Sequence, residues 1–276
     1  MSTTRRGSIL AGSVVIYSIT SMLGGYTAIS LYLQMNGKMW ARCIILICIL
    51  FPVPVSCVFC WANSVAFLHG STSAMPVSTV LAILALYIFV SAPLTLFGGI
   101  LAKNFGKKDF NAPTRTTKVA REIPSEIPWY KGRFVQMLIS GFLPFSAIFI
   151  ELHYIFASMW GHQIYTLFGI LFIAFILLTI VTSSITVALV YFQLAREDHR
   201  WWWVAFNNGG MIGIAIYLYS FYYYFQRSGM NGILQASFFF GYMAIVSFAF
   251  FLMLGSAGFK LSLVFVKYIY GRVKCD

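Results

Sequence analysis

Charge is what this sequence has least of. Only 9% of its 276 residues are Asp, Glu, Lys or Arg, and only 7 of them are acidic. A soluble domain carries about 25% charged and about 45–50% apolar residues; here the apolar share is 60%. A water-soluble fold could not hide that much apolar surface. Lipid must be the main solvent, so chain length translates into membrane spans rather than globular domains. The shortage of acids leaves a formal charge of +12. In a soluble protein such an excess would suggest nucleic acid, but here the basic residues sit between apolar blocks, as the positive-inside rule describes. Nucleic-acid binding is not expected.

Cysteine is also sparse. Four of the five cysteines, Cys43, Cys48, Cys57 and Cys60, fall within one apolar block, and Cys275 stands near the end. The Cys57-Val-Phe-Cys60 pair has redox or metal-ligand spacing, but a structural zinc site takes four ligands and no second pair accompanies it. Cysteines packing as small buried hydrophobes are expected, with no disulfide framework, metal or cofactor. The sequence has no His-Glu-x-x-His, no glycine-rich phosphate loop and no clustered carboxylates. The expectation is a non-enzymatic protein.

What it does have is long charge-free runs. A spanning helix needs about 20 mostly apolar residues. The charges and polar breaks divide the chain into seven windows, near 9–33, 43–67, 77–101, 135–158, 165–193, 204–224 and 233–256. A hydrophilic loop covers 103–133 and a tail covers 260–276. An outer-membrane barrel would need strands of about ten residues with alternating polarity, which these windows lack. The expected fold is an all-α polytopic transmembrane helix bundle of seven spans. With alternate loops sharing a side, sixteen of the 19 basic residues fall on one side. The loop and the C-terminus are therefore expected in the cytosol and the N-terminus in the lumen. Arg5 and Arg6, just before the first span, pull against that orientation. The start also has no preceding domain and no small-residue cleavage site, which leads us to expect that an upstream part is missing.

Several features inside the windows could carry recognition or chemistry. Glu151 is the acidic residue inside an apolar block, where a charge costs roughly 2.5–3.5 kcal/mol on insertion scales unless paired or wet. At helical spacing its neighbours are Pro144, Ala147, Tyr154 and Ser158, a small or polar stripe that places Glu151 towards the bundle interior. It could serve a recognition groove or proton path, or simply hydrogen-bond a neighbouring helix. Pro52, Pro54, Pro93 and Pro144 interrupt windows and free the carbonyls of Cys48, Leu50, Phe89 and Ser140. Gly24-Gly25, Gly98-Gly99, Gly209-x-x-x-Gly213 and Gly255-x-x-Gly258 permit close helix contact, either within the bundle or with a client's helix. The loop 103–133 carries eight Lys/Arg against Asp109, Glu122 and Glu126. With Pro113, Pro124 and Pro128 it reads as an extended strap on the membrane face or a solvated connector. Trp201, Trp202 and Trp203, beside Arg196 and Arg200, read as an interfacial anchor.

Four stretches carry a family likeness. They are Phe110-Asn-Ala-Pro-Thr-Arg-Thr-Thr-Lys118 with Arg121-Glu-Ile-Pro124 and Pro128-Trp-Tyr130; Gly141-Phe-Leu-Pro-Phe-Ser-Ala-Ile-Phe-Ile-Glu-Leu-His-Tyr154; Tyr191-Phe-Gln-Leu-Ala-Arg-Glu-Asp-His-Arg-Trp-Trp-Trp203; and Phe238-Phe-Phe-Gly-Tyr242. In this order they resemble the C-terminal membrane domain of the transmembrane-nine family, the nonaspanins. The likeness implies nine spans behind a signal peptide and a lumenal domain, of which this sequence would supply the last seven spans. It also implies residence in Golgi and endosomal membranes, and a role in sorting or trafficking other membrane proteins, particularly clients with glycine-rich spans. The ending Lys274-Cys275-Asp276 fits the family's lysine-x-acid terminus, which implies a sorting signal read by a coatomer-type coat through Lys274 and Asp276. Two other readings stay open. One is a secondary transporter or channel-like protein using Glu151. The other is a seven-span receptor, against which Arg196-Glu-Asp-His-Arg200 is not a receptor-type Asp-Arg-Tyr switch.

Overall fold

The structure is a computed structural model that describes residues 3–71, 74–106, 122–123, 132–160, 167–227 and 232–272; for 3–11, 13–14, 151–160, 167–168 and 170 it describes the backbone alone. Among the described residues all regular structure is helical. Apolar sequence in lipid leaves the backbone no external partner, so each segment must satisfy its own N–H and C=O groups, and the helix does this within one segment. The helices are α1 (Thr3–Gln34), α2 (Trp40–Leu50), α3 (Pro52–Leu68), α4 (Val77–Leu86), a π turn (Tyr87–Ser91), α5 (Ala92–Phe105), α6 (Arg133–Trp160), α7 (Leu167–Leu194), α8 (Trp201–Gln226) and α9 (Ile233–Arg272).

Joined across their breaks, the described elements make seven rods, and the described part of each window read from the sequence falls on one of them; the last rod overruns its window, continuing as helix to Arg272 through most of the stretch read as a tail. Five rods or parts of rods are long and apolar enough to cross a membrane: Trp40–Leu68, Val77–Phe105, Arg133–Ile150, Leu171–Leu194 and Ile233–Arg272. α8 is outside that set. Its 26 residues carry no ionic side chain, but tryptophans, tyrosines and two asparagines dilute its apolar character.

The chain folds as two compact units, Met1–Asn111 and Ala112–Asp276. In the first, α1 packs on α5, and α2 touches both. Among the described residues, α3 meets α2 alone and α4 meets the π turn alone. The prolines set its geometry. α2 stops at Leu50 and α3 restarts with Pro52 in its first turn, where a missing N–H costs nothing. The carbonyl of Cys48 that Pro52 leaves without its donor accepts the Tyr87 hydroxyl at 2.6 Å. Tyr87 opens the π turn, in which the Ala92 N–H donates to the Tyr87 carbonyl five residues back. Such a turn absorbs the register lost ahead of Pro93. Close approach is secured by glycine: a Cβ on Gly25 would collide with the Thr95 carbonyl, and one on Gly98 with the Met22 carbonyl.

The second unit is a four-helix bundle of α6, α7, α8 and α9, each packed on at least two others. Ile148, Leu178, Ile212 and Leu254 bring one buried side chain from each helix to a common cluster. A second cluster, Ile216, Tyr219, Tyr223 and Phe239, fills the far end of the α8–α9 contact. α8 and α9 run in opposite directions: Trp201 stacks on Phe259, Phe206 meets Phe251 and Tyr223 stacks on Phe239. α7 and α9 run in the same direction, with Phe175 against Phe250 and Tyr191 against Phe265.

Candidate functional site

The interior of the second unit is unusually polar for a bundle of such apolar helices. Ser140 and Pro144 on α6, Thr182 and Thr186 on α7, Asn208 and Ser220 on α8, and Ser262 on α9 are all fully buried. Some are satisfied locally: Ser140 Oγ donates to the Met137 carbonyl at 2.8 Å, and Thr186 Oγ1 to the Thr182 carbonyl at 2.7 Å. Others are not. Thr182 Oγ1, Ser183 Oγ, both amide atoms of Asn208, Ser247 Oγ and Ser262 Oγ are buried with no hydrogen-bond partner among the described residues. An unpartnered polar group in an apolar interior costs roughly 1–3 kcal/mol. Asn208 immediately precedes Gly209, whose Cβ position is taken by the Leu254 carbonyl at 2.6 Å. Gly258 faces Gly209 and the Thr186 side chain, with a Cβ there lying 3.2 Å from Thr186 Oγ1. At the level of Asn208, α8 and α9 therefore meet backbone to backbone, and the Thr186 side chain of α7 closes on them.

A second polar centre closes the α7–α8 turn. Glu197 adopts φ 64° in that turn. Asp198 accepts the Gln193 amide N–H at 3.1 Å and the Arg200 backbone N–H at 3.0 Å. Arg133, at the start of α6, approaches the same carboxylate at 3.7 Å, and the Arg200 side chain approaches it at 3.8 Å. Gln193 Nε2 also donates to the Arg200 carbonyl at 3.1 Å. Partial burial raises the Asp198 pKa. The hydrogen bonds from Arg200 and Gln193 and the charges of Arg133 and Arg200 outweigh that, holding the carboxyl below its usual range. The result is a clasp joining three helix ends. Sequence reasoning missed it, although Gln193 and Asp198, flanking a turn between two apolar windows, were the available signal.

The expected site residues fall out unevenly. Pro144 is fully buried in α6, which continues through it from Arg133 to Trp160. The stripe used to orient Glu151 is not uniform: Pro144 is buried and Ala147 is exposed. Glu151 and Tyr154 belong to α6, but their side chains lie outside the described residues, as do Lys274 and Asp276 altogether. Trp201 packs inward, its ring stacked on Phe259 at 5.9 Å and 14°, while Trp202 and Trp203 are 43% and 68% exposed. The reading of Cys57 and Cys60 as buried hydrophobes needs correcting. Both are exposed free thiols, because among the described residues α3 packs only on its neighbour in the chain. The glycine motifs are used within the chain: Gly209, Gly213 and Gly255 lie against α8–α9 backbone and Gly98 against α1.

Residues 1–233 match the family model described as Endomembrane protein 70. Curated relatives agree. The chain is 53% identical to transmembrane 9 superfamily member 3 of Arabidopsis thaliana, over 98% of this chain and 45% of that protein. It is 46% identical to transmembrane 9 superfamily member 1 of Bos taurus, over 99% of this chain and 45% of that protein. The chain thus spans about half the length of the curated relatives it matches. No solved structure matches it. With a family model covering most of its length and relatives aligned across nearly all of it, the chain belongs to the endomembrane protein 70 family of transmembrane 9 superfamily multi-pass membrane proteins.

Proposed function

We propose that this chain is the membrane part of a non-enzymatic sorting protein that moves or retains other membrane proteins in Golgi and endosomal membranes. The observation that carries this reading is family membership: the matching model bears the name of an endomembrane protein, and the alignment runs through nearly the whole chain. The asymmetry of basic residues supports a cytosolic C-terminus and a cytosolic loop 103–133. A coatomer-type coat would then read Lys274 and Asp276 through charge-assisted bonds, and clients would be membrane proteins with glycine-rich spans. Because Gly98, Gly209, Gly213 and Gly255 are already occupied inside the chain, client contact falls to other surfaces.

The test is to deplete the protein and follow a reporter with a glycine-rich span beside a matched reporter whose span glycines are leucines. Selective loss of the first from its compartment, restored by re-expression, is the expected result. Unchanged location of both in the depleted cell sinks the reading. For the tail, Lys274→Ser should release the protein to later compartments without unfolding it.

One observation favours a second reading, a secondary transporter. Asn208, Thr182, Ser247 and Ser262 present polar atoms without partners inside a membrane bundle, and intramembrane polar groups commonly line substrate paths. Solute flux in proteoliposomes that is lost on Glu151→Gln or Asn208→Leu is the outcome that reading requires.

A further inference from the structure

In the first unit the rods Trp40–Leu68 and Val77–Phe105 both break, and the breaks lie side by side. α2 and α5 run in opposite directions: Lys103 Nζ lies 4.5 Å from the Trp40 ring centroid, and a Cβ on Gly99 would meet the Ile44 side chain. Continued in that register, Phe51 and Pro52, where α2 gives way to α3, come opposite Ser91 and Ala92, where the π turn gives way to α5. The Tyr87 hydroxyl spans the two breaks, donating to the Cys48 carbonyl at 2.6 Å. Each break has lost further backbone bonds. Pro54 leaves the Leu50 carbonyl without the donor four residues on, and Pro93 does the same for Phe89. A helix owes its stiffness to that ladder, so these are the places where either rod bends most easily.

On one side of the breaks the unit is anchored. α5 lies on α1 at Gly25 and Gly98, and Ser21 Oγ donates to the Ser91 carbonyl at 3.3 Å. Ile29, Ile44 and Ala102 join α1, α2 and α5 in one buried cluster. On the other side the hold is slight. Among the described residues α3 meets only α2 and α4 only the π turn, each its own neighbour along the chain. The two arms are nevertheless tied to one another far from the breaks. The Met75 backbone N–H donates to Asn63 Oδ1 at 2.8 Å, and Asn63 Nδ2 donates to the Met75 carbonyl at 3.4 Å. A kink that serves packing alone turns a helix onto a partner; these two lead α3 and α4 to no partner among the described residues. Few contacts beyond a bend that has lost backbone bonds are the mark of a segment of low local stability.

We propose that α3 and α4 form a hinged hairpin that swings as one body on the paired breaks, with the Tyr87–Cys48 hydrogen bond as its latch. Two breaks at one level give a common pivot; a single break in either rod would be opposed by the unbroken helix beside it. The Asn63–Met75 tie makes the arms move together. The latch joins the same two rods at the pivot, so opening it frees both at once. The π turn, wider than an α turn by one residue, gives the second rod room to bend. Swings of this kind are hinge motions, on the scale of microseconds to milliseconds. The hinge goes beyond the sorting reading and does not rest on it.

The test is pulsed electron–electron distance measurement on the purified full chain in phosphatidylcholine nanodiscs, with its five cysteines changed to serine and spin labels introduced in pairs. Phe67→Cys with Phe105→Cys reports the hairpin tip against the anchored end of α5. Ile16→Cys with Phe105→Cys reports α1 against α5 and serves as the rigid control; all three side chains are exposed. Tyr87→Phe should populate a second tip distance about fivefold more than the parent does, the weight of one hydrogen bond, and leave the control pair unchanged. Pro52→Ala with Pro54→Ala restores the ladder through the first break. It should narrow the tip distribution to the width of the control and make Tyr87→Phe silent. Circular dichroism checks that helical content is equal throughout; where Tyr87→Phe lowers it, the proline pair alone decides. A tip pair no wider than the control in both the parent and Tyr87→Phe overturns the hinge. A wide tip distribution indifferent to Tyr87→Phe, or to the proline pair, overturns it as well, because the motion then does not act through the latch or the breaks.

Discussion

The two units solve the same problem, holding apolar helices together in lipid, by different means. In the first, only 6% of the most apolar window of Trp40–Leu68 is buried, and 11% of that of Val77–Phe105. In the second, 33% of the window of Leu171–Leu194 is buried and 28% of that of Ile233–Arg272. The first unit is thin and broken: prolines restart its rods, a π turn absorbs the register, and α3 and α4 present nearly bare surfaces. One of its freed backbone carbonyls, that of Cys48, is repaired by the Tyr87 hydroxyl. The second unit is thick and continuous, and it accepts polar atoms with no internal partner at its centre. Apolar area cannot drive helix association in lipid, so contact must come from close packing and polar bonds. Among the described residues the first unit leaves more of its helix surface bare, and the second holds the buried polar atoms without partners around Asn208.

The largest expected effect comes from removing close approach in each unit. Gly213→Leu would drive a side chain into the Ser247 carbonyl and the Phe251 backbone, and Gly98→Leu into the Met22 carbonyl. Overpacking of this kind costs about 1–3 kcal/mol or more. Hydrogen exchange in detergent should show loss of protection in α8 and α9 for the first variant and in α1 and α5 for the second. Damage that spreads equally through all helices in both variants would break the division into two units.

Next comes the clasp. Asp198→Ala removes an acceptor from Gln193, Arg200 and Arg133, at an expected cost of about 1–3 kcal/mol, read as a lower melting temperature of the purified protein. The pH dependence has a definite sign. The folded pKa lies below the ordinary 3.8, so on acidification the unfolded chain takes up the proton first. The stabilisation is therefore fully present above about 3.8 and is lost as pH falls further, through the folded value. Parent and Asp198→Asn should keep a constant stability gap from neutral pH down to that point, then converge. A gap that already closes near pH 6 would assign it to another group.

Tyr87→Phe should cost about 1 kcal/mol by leaving the Cys48 carbonyl bare. In a Pro52→Ala background, where the backbone can supply its own donor, the same change should be nearly silent. Equal costs in both backgrounds would mean that the hydroxyl does not act through the proline break. The smallest effects separate structure from function. Asn208→Leu removes two unpartnered dipoles and should leave stability unchanged or raise it by up to about 1 kcal/mol. Gly24→Ala, with no heavy atom within 4 Å of the new Cβ, should fall within about 0.5 kcal/mol of the parent.

Much of this was legible in the residues. Charge-free runs placed all seven rods, because a polar break long enough to leave lipid must interrupt the run. The prolines announced where Trp40–Leu68 and Val77–Phe105 would bend, since a missing donor is a local covalent fact. The glycine pairs announced close contacts without saying with whom. The exposure of Cys57 and Cys60 was not legible: in lipid an apolar residue is equally content facing a neighbour or a hydrocarbon tail, so composition does not separate the two.

The sequence by itself determined that the chain is helical, that its solvent is lipid, roughly where the described rods lie, and which family it belongs to; it did not foresee that the last helix runs on to Arg272. Hydropathy and backbone satisfaction are properties of a segment, and a segment carries them wherever it is placed. Only the tertiary structure decided which glycines meet, that Tyr87 reaches Cys48 across 39 positions, that Asp198 gathers three helix ends, and that Asn208 sits buried at a triple helix contact. Each of these depends on which faces of different rods come together, and uniformly apolar helices encode that choice in the shapes of small residues rather than in any pattern along the chain.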